Sequence, residues 1–157
     1  MAQVQCDRGL RAIVVRSDDG LDEMSTAAPT HVWDATTQEV RVLTVDAAAF
    51  DLRPSSVADL RGDDATFNAN VVRNVLSGQT EGAMGKVRDV VRLNAAAALV
   101  AFDAQRPDHK YGSPQEPLIA RLRQALPETA EAIDSGAAAR VLADLVAVSS
   151  RLASSDA

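Results

Sequence analysis

Short apolar segments with strand-like spacing occupy the first third of the chain. Residues 12–15 form a continuous β-branched run, which is typical of a strand covered on both faces, so we predict a buried parallel strand there. Alternating segments around residues 32–34 and 40–45, separated by polar residues, predict a β-hairpin in which Trp33 packs. Asp46 precedes three alanines and is placed to cap a single helical turn.

Apolar residues recur at helical spacing in the second half. Either Asp63 or Asp64 can cap the first of these helices. Pro127 is expected to end a later helix, because proline removes a backbone donor and clashes with the preceding turn. The predicted helices span roughly residues 64–76, 86–102 and 118–126, a short segment through 133 and a last segment through 146. We expect one domain, residues 1–152, followed by a disordered tail, residues 153–157.

Composition and charge restrict the classes of partner. With 46% hydrophobic and 24% charged residues the chain is of the globular type. A net charge of −6 opposes binding to a phosphate backbone, so no nucleic acid is expected. No apolar run approaches the roughly 18 residues of a membrane span, and no signal peptide pattern is found, so no membrane partner is expected. The single cysteine, Cys6, fits a reducing cytoplasm, which is the predicted location.

An acidic, turn-rich segment follows the first predicted strand. Asp22 and Glu23 are adjacent carboxylates, and Asp18, Asp19 and Ser25 lie near them in the chain. Ligands of open α/β sheets bind at the carboxyl ends of strands, where this segment lies. Hard oxygen donors in such a loop suit Mg²⁺, particularly when substrate phosphates share the ion. An ordinary solvated turn is the alternative interpretation.

Four stretches, taken in their order and spacing, resemble the anthranilate phosphoribosyltransferase family from near residue 1 to about residue 150. They read GLDEMST from Gly20, LRGDDA from Leu60, RD from Arg88 leading to LNAAAAL, and AIDSGAA from Ala132. The resemblance implies an α/β fold: a truncated C-terminal phosphoribosyltransferase domain, with a short sheet and β-hairpin packed by about five helices. It also implies transfer of a phosphoribosyl group from phosphoribosyl pyrophosphate to anthranilate, in tryptophan biosynthesis. Asp22 and Glu23 would then hold Mg²⁺ against the pyrophosphate.

The other matched residues are interpreted as architectural. A buried amide at Asn68 or Asn94 can join neighbouring helices or satisfy loop carbonyls. The Arg88–Asp89 pair is expected to start a helix and to pair locally, and Ser135 with Gly136 to end one helix and cap the next. Arg92 departs from the family, which normally has an aliphatic residue there. A charge in a core helix is costly unless it is paired or reaches solvent.

The family's glycine-rich phosphate loop, its anthranilate-binding residues and its N-terminal helical domain have no counterpart in the sequence. We therefore expect no catalysis by this chain alone, because proximity and electrostatic preorganisation would be lost. A separate chain supplying the N-terminal half is a possible partner. Missing flanking strands would leave the strand at residues 12–15 with an unpaired edge and the fold with marginal stability. Two alternatives remain open: a non-catalytic remnant or helical interaction module, and a relative of the pyrimidine nucleoside phosphorylases.

Overall fold

The structure is a computed structural model and describes residues 1–155. Five α-helices, three strands and one short 3-10 helix make up this part of the chain. In chain order they are α1 Ala2–Asp7, β1 Ala12–Ser17, β2 Thr30–Ala35, β3 Arg41–Val45, the 3-10 helix Ala47–Phe50, α2 Ala65–Leu76, α3 Gly82–Asp103, α4 Leu118–Asp134 and α5 Ala137–Ser155. The α/β class is confirmed. The number of α-helices in the described residues agrees with the expected five, but α1 was not predicted and α4 takes the place of two predicted helices.

The three strands form an antiparallel sheet in the order β1-β2-β3. The predicted hairpin is confirmed, with Val32 opposite Leu43 and the half-buried Trp33 opposite Val42. The predicted parallel direction of β1 is wrong, since Val14 pairs antiparallel with Trp33 of β2. Residues 12–15 are also half-buried rather than buried on both faces, so the continuous apolar run determined neither the direction of the strand nor its full burial. The connection from β1 to β2 contains no helix, whereas a parallel crossover usually needs one.

The hydrophobic core lies between the sheet and the helices α3 and α4. Most of its side chains are small or aliphatic, which lets the helices approach closely. Its most deeply buried members include Met24, Val32, Val45, Leu93, Ala96, Val100, Leu122 and Ala125. Ile13, Val15 and Leu43 pack against this cluster from the strands.

Charged residues cross the interior between the sheet and α4. Asp34 and Arg121 are each 1% exposed, and Asp34 Oδ2 lies 2.7 Å from Arg121 Nη2. Arg41 Nη2 reaches the same oxygen at 2.7 Å, and Arg121 Nη1 donates to Thr36 Oγ1 at 2.9 Å. The sheet is thus joined to α4 by a buried ionic network as well as by apolar packing.

Two predicted boundaries in the helical half are wrong. Helix α4 continues through Pro127 to Asp134 and includes the short helix predicted after it. The proline frees the carbonyl of Arg123, but both residues are exposed, so solvent can satisfy it. Helix α5 extends to Ser155, so residues 153–155 of the predicted disordered tail are helical. Residues 156–157 of that tail lie outside the described residues.

The predicted helix caps agree with the structure better than the predicted helix boundaries do. Asp46 accepts a hydrogen bond from the Ala48 amide, and Asp64 accepts one from the Phe67 amide. Gly136 has φ +72 between α4 and α5, and Ser135 Oγ accepts from the Ala137 amide at 3.3 Å. Within residues 1–155, no helix is both long and apolar enough to cross a membrane.

Candidate functional site

The acidic loop, residues 18–25, leaves the end of β1 and folds back on that strand. The Ser17 amide donates to the Leu21 carbonyl at 3.0 Å, and the Asp18 amide donates to the Pro29 carbonyl at 3.0 Å. Gly20 has φ +92, a conformation that side chains disfavour, and its amide donates to Ser17. The backbone therefore closes a tight turn directly after the strand.

Asp19 stabilises the loop from within. Its two carboxylate oxygens accept from Ser25 Oγ at 2.6 Å and from the Leu21 amide at 3.2 Å. Ser25 Oγ in turn accepts from the Ala27 amide at 2.9 Å. Burial alone would raise the pKa of Asp19, but hydrogen bonds from Ser25, Ser17 and Leu21 outweigh it and lower the pKa. This carboxylate is committed to loop structure.

Asn94 of α3 holds the far end of the acidic loop. Its Oδ1 accepts from the Met24 amide at 2.9 Å, while its Nδ2 donates to the Met24 carbonyl at 2.8 Å and to the Val90 carbonyl at 3.0 Å. The Met24 side chain is 1% exposed in the core. The interpretation of Asn94 as an amide that satisfies a loop carbonyl is confirmed, whereas a link between two helices is not seen among its contacts in the described residues.

Asp22 and Glu23 lie between the parts of the loop that Asp19 and Asn94 hold, and they differ from Asp19 in their contacts. Both residues are exposed, and within residues 1–155 neither side chain has a hydrogen-bond or ion-pair partner. Partial desolvation, followed by repulsion from Asp22 and Asp19, raises the pKa of Glu23. A cation at this position would relieve that repulsion. The two carboxylates are therefore available to an external ligand.

The two carboxylates of Asp22 and Glu23 fit only one kind of metal site. Within the described part of the chain, no group of three or more His, Cys, Asp or Glu side chains is placed to hold a metal ion. Mg²⁺ usually keeps several waters and binds through one or two carboxylates together with substrate phosphates. Asp22 and Glu23 thus fit a Mg²⁺ ion shared with a phosphate ligand, but not an ion enclosed by protein donors.

A second loop, residues 51–62, lies against the acidic loop. The Ser55 amide donates to the Thr26 carbonyl at 3.2 Å, and the hydroxyls of Thr26 and Ser55 are 2.7 Å apart. Asp89 of α3 fixes this loop, because its Oδ2 accepts from the Arg53 amide at 3.1 Å and from Arg53 Nη1 at 3.0 Å. Arg53 remains 47% exposed. The sequence gave no indication of the contacts between Thr26 and Ser55 or between Arg53 and Asp89, because the two residues of each pair are far apart in the chain.

Arg88 and Asp89 of α3 have long-range partners, and Arg92 pairs within the helix. Arg88 and Asp89 lie inside α3, so the prediction that they start a helix is wrong. Arg88 Nη2 binds Asp134 of α4 at 2.7 Å, which also corrects the expected local pairing. Arg92 is paired after all, because its Nη1 lies 3.2 Å from Asp89 Oδ1. The buried charges of this helix therefore hold α4 and the second loop in place.

His31 of β2 borders the acidic loop on the other side. Its Nε2 lies 2.8 Å from Asp18 Oδ1, and both side chains are nearly half exposed. Of the four acidic residues in the loop, Asp18 and Asp19 thus have protein partners, and Asp22 and Glu23 do not. The predicted candidates are the two carboxylates that the structure leaves available.

The described chain is thus an α/β unit in which a small antiparallel sheet is backed by alanine-rich helices, with an acidic loop at one strand end. The chain belongs to the glycosyl transferase family, because the family model for the "a/b domain" matches residues 1–139.

Individual relatives identify the branch of the family that the chain resembles. It is 46% identical over 148 residues to an anthranilate phosphoribosyltransferase from Arthrobacter sp. (strain FB24), covering 94% of this chain and 39% of that protein. The enzyme of the same name from Leifsonia xyli subsp. xyli is 44% identical, with 89% and 38% covered. The resemblance drawn from the four sequence stretches is confirmed. The chain spans about two fifths of the length of these relatives.

Solved structures of the same name share the fold. Anthranilate phosphoribosyltransferase from Thermus thermophilus superposes with a TM-score of 0.71 at 23% identity, covering 93% of this chain and 38% of that one. The Saccharomyces cerevisiae enzyme in complex with PRPP and Mg gives a TM-score of 0.63 at 21% identity, with 83% and 32% covered.

Proposed function

We propose that this chain forms the Mg²⁺-holding part of an anthranilate phosphoribosyltransferase, with Asp22 and Glu23 as the protein ligands of the ion. The observation that carries the proposal is their state: exposed, unpaired within residues 1–155, and held between two anchored neighbours. The relatives bearing this enzyme name support the substrate assignment, phosphoribosyl pyrophosphate and anthranilate. The reaction belongs to tryptophan biosynthesis, and we place it in the cytoplasm.

The acidic loop contributes by preorganisation. When the bond from ribose to pyrophosphate breaks, negative charge accumulates on the leaving oxygens, and a bound Mg²⁺ would stabilise that charge. Asp22 and Glu23 are available to such a ligand on a fixed backbone, because Asp19 and Asn94 hold the loop on either side of them. A loop fixed before binding loses less conformational entropy when the substrate arrives.

The remaining steps are assigned to parts of the enzyme outside this chain. Orientation of the anthranilate amine and the main hydrogen bonds to the pyrophosphate belong, in this proposal, to the portion of the relatives that the chain does not span. A separate polypeptide carrying that portion is the partner we propose. Without it we expect substrate binding that is weak and no turnover.

The two alternative functions, a pyrimidine nucleoside phosphorylase and a non-catalytic interaction module, rest on different observations. A pyrimidine nucleoside phosphorylase shares the general fold, but the relatives found for this chain at more than 40% identity carry the anthranilate phosphoribosyltransferase name. A non-catalytic interaction module is favoured by one observation, the exposed apolar residues of α5. The two functions are compatible, because α5 packs on α2 and α4 whereas the acidic loop is held by α3.

Titration calorimetry with phosphoribosyl pyrophosphate, with and without Mg²⁺, tests the proposal. The wild-type chain is expected to bind only when Mg²⁺ is present, and Asp22→Asn/Glu23→Gln should weaken that binding by about tenfold or more, the effect of losing roughly 1.4 kcal/mol. Glu81→Gln/Glu131→Gln is the matched control, since both residues are exposed and it removes the same charge. Binding that ignores Mg²⁺, or a control that behaves like the test variant, would refute the assignment.

A further inference from the structure

A polar groove of about 690 Å³ opens at the end of the sheet away from the acidic loop. Its walls come from the turn between β2 and β3, from Arg11 and Arg41, and from the segment after α3, residues 104–115. Arg11 precedes β1 whereas the acidic loop follows it, so the two lie roughly 17 Å apart, the length of a six-residue strand. The volume is within the range of small-molecule sites, about 300–1,000 Å³.

Positive charge predominates in this groove. Arg11, Arg41 and Arg106 line it, and Glu39 is the one carboxylate among its described lining residues, so we call it the arginine groove. Within residues 1–155, Glu39 forms no ion pair with any of the three arginines. The excess runs against the chain as a whole, whose net charge is −6. The arginine groove therefore attracts anions on a protein that otherwise repels them.

Arg41 connects the arginine groove to the buried ionic network. Asp34 Oδ2 lies 2.7 Å from both Arg41 Nη2 and Arg121 Nη2, so in direct contact one carboxylate serves two guanidinium groups. Burial lowers the pKa of Arg121 and the like charge of Arg41 lowers it further, while Asp34 and, more weakly, Glu116 oppose this. Buried charges are costly unless they are paired. Because Arg41 is 36% exposed and lines the groove, an anion bound there would compensate the excess charge.

Backbone carbonyls hold two of the arginines without neutralising them. Arg11 Nη1 donates to the Thr37 carbonyl at 2.7 Å. Arg41 Nη2 donates to the Pro114 carbonyl at 2.6 Å, and its Nη1 donates to the Gln115 carbonyl at 3.2 Å. A guanidinium group has five N–H donors, and within residues 1–155 the other nitrogens of Arg11 have no acceptor. The groove thus presents positioned donors that keep their charge.

The segment after α3 adds two further groups. Arg106 Nε lies 3.6 Å from Asp108 Oδ1, but both side chains are more than half exposed, and such pairs contribute little. Arg106 can therefore turn toward a ligand. His109 Nδ1 lies 3.2 Å from the Asp103 carbonyl, and because a carbonyl only accepts, this contact assigns a proton to Nδ1. Nε2 is then left for a ligand in the groove.

We propose that the arginine groove binds a small, multiply charged oxyanion, a molecule whose phosphate or carboxylate groups are held by Arg11, Arg41 and Arg106. The planar guanidinium group presents paired N–H donors that match the oxygens of either kind of group. The inference does not rest on the proposed function, because neither the acidic loop nor Mg²⁺ takes part in it.

Nuclear magnetic resonance of the ¹⁵N-labelled chain tests the site. The chain is titrated with sodium phosphate and, separately, with citrate, without Mg²⁺ and at an ionic strength held constant with sodium chloride. Amide shifts are expected to saturate and to be confined to residues 36–41 and 104–115. Tighter binding of phosphate would identify a phosphate-bearing ligand, and tighter binding of citrate a carboxylate-bearing one.

Matched variants assign the binding to the arginines. Arg11→Gln/Arg106→Gln is expected to weaken the tighter probe by about tenfold or more, because two charge-assisted contacts are lost. Arg11→Lys/Arg106→Lys keeps the charge without the planar fork and should lose less. Arg73→Gln/Arg140→Gln removes the same charge at exposed positions outside the groove and should bind as the wild type does.

Three results would overturn the proposal. The first is a set of shifts that do not saturate or that spread over the exposed arginines of the whole chain, which is general screening. The second is a set of shifts centred on the acidic loop, residues 18–25. The third is equal weakening by the groove variant and the matched control. The amide spectra also show whether each variant keeps the fold, and Arg41 is left in place because of its contact with buried Asp34.

Discussion

The ion pair between Asp34 and Arg121 lies where neither side chain reaches solvent. Burial lowers the pKa of Arg121, and the charge of Asp34 opposes that effect. Arg121→Met would leave Asp34 with Arg41 as its remaining cationic partner, so we expect a loss of about 3 kcal/mol in the free energy of unfolding, typical of breaking a buried pair. Urea denaturation measures it. Arg140→Met, at an exposed arginine, should change the value by less than about 0.5 kcal/mol; equal losses would show that the buried network does not stabilise the fold.

Protonation of Glu23 should control Mg²⁺ binding. Desolvation and the neighbouring charges of Asp22 and Asp19 raise the pKa of Glu23, so its carboxylate takes up a proton at a higher pH than an ordinary glutamate does. We expect Mg²⁺-dependent substrate affinity to decline on acidification at a pH above that of an ordinary glutamate, which titrates near about 4.3. Glu23→Gln should bind more weakly and show a smaller decline. Calorimetry at a series of pH values checks this, and an unchanged pH profile in the variant would contradict it.

The raised pKa of Glu23 affects binding and folding in opposite directions: acidification weakens Mg²⁺ binding but favours the folded state. A carboxyl group that holds its proton more tightly when folded favours the folded state at low pH, and that contribution is lost as the pH rises through its folded pKa. Asp19, whose pKa is lowered, stabilises the fold at neutral pH and loses that contribution on acidification. One loop thus contains a carboxylate used for structure and a second one available to a ligand.

Single-residue roles were predictable from sequence only where the signal is local. Asp46, and one of Asp63 and Asp64, stood out as caps before helices, and Asp46 and Asp64 accept the cap hydrogen bonds. Asp22 and Glu23 stand out as adjacent carboxylates after a strand, and their role as metal ligands stays a prediction. The pair formed by Asp34 and Arg121 gave no such signal, because the two residues are far apart in the chain and meet only when α4 packs on the sheet.

At the scale of elements, one amide connects α3 to the acidic loop. Asn94→Ala would leave the Met24 amide and carbonyl without their partner, at a cost of about 1–3 kcal/mol for buried groups left unsatisfied. We expect a lower melting temperature together with weaker Mg²⁺-dependent substrate binding, because the backbone next to Glu23 is released. Hydrogen exchange at the loop amides should rise.

The matched control for this link is Asn68→Ala. Asn68 also bridges side chain to backbone, but its contacts are to Asp63 in an exposed segment. We expect a smaller loss of stability and no effect on substrate binding. If both asparagine variants bound substrate as the wild type does, the anchoring role assigned to Asn94 would be wrong.

Element boundaries show where local rules fail. Pro127 predicted the end of a helix, yet α4 passes through it, because tertiary packing of Leu122, Leu126 and Ile133 on the core outweighs one missing backbone hydrogen bond. The composition of β1 likewise does not show whether the strand pairs parallel or antiparallel. It depends on the path of the following loop, which the anchors at Asp19 and Asn94 determine.

At the scale of the whole molecule, β1 is a sheet edge. Within residues 1–155 it pairs with β2 on one side only, and its apolar residues Ile13, Val14 and Val15 are half-buried. An edge of this kind can pair with a further strand or with another chain. The expectation of marginal stability for this chain stays a prediction. The family and fold could be inferred from short motifs, whereas the surfaces open to partners required the packing of the helices.

The separation of the acidic loop from the end of α5 leads to the last prediction. The side chains described beyond Leu142 are exposed, so their removal gives up little buried apolar surface, which is the main source of stability. A variant that ends at Ala147 should therefore lose less than about 1 kcal/mol when its monomer is denatured at low concentration. It should also keep Mg²⁺-dependent substrate binding. Chemical denaturation and calorimetry on one preparation measure the two properties. A truncated chain that no longer unfolds cooperatively would show that α5 supports the core, and loss of substrate binding would show that the two surfaces are coupled.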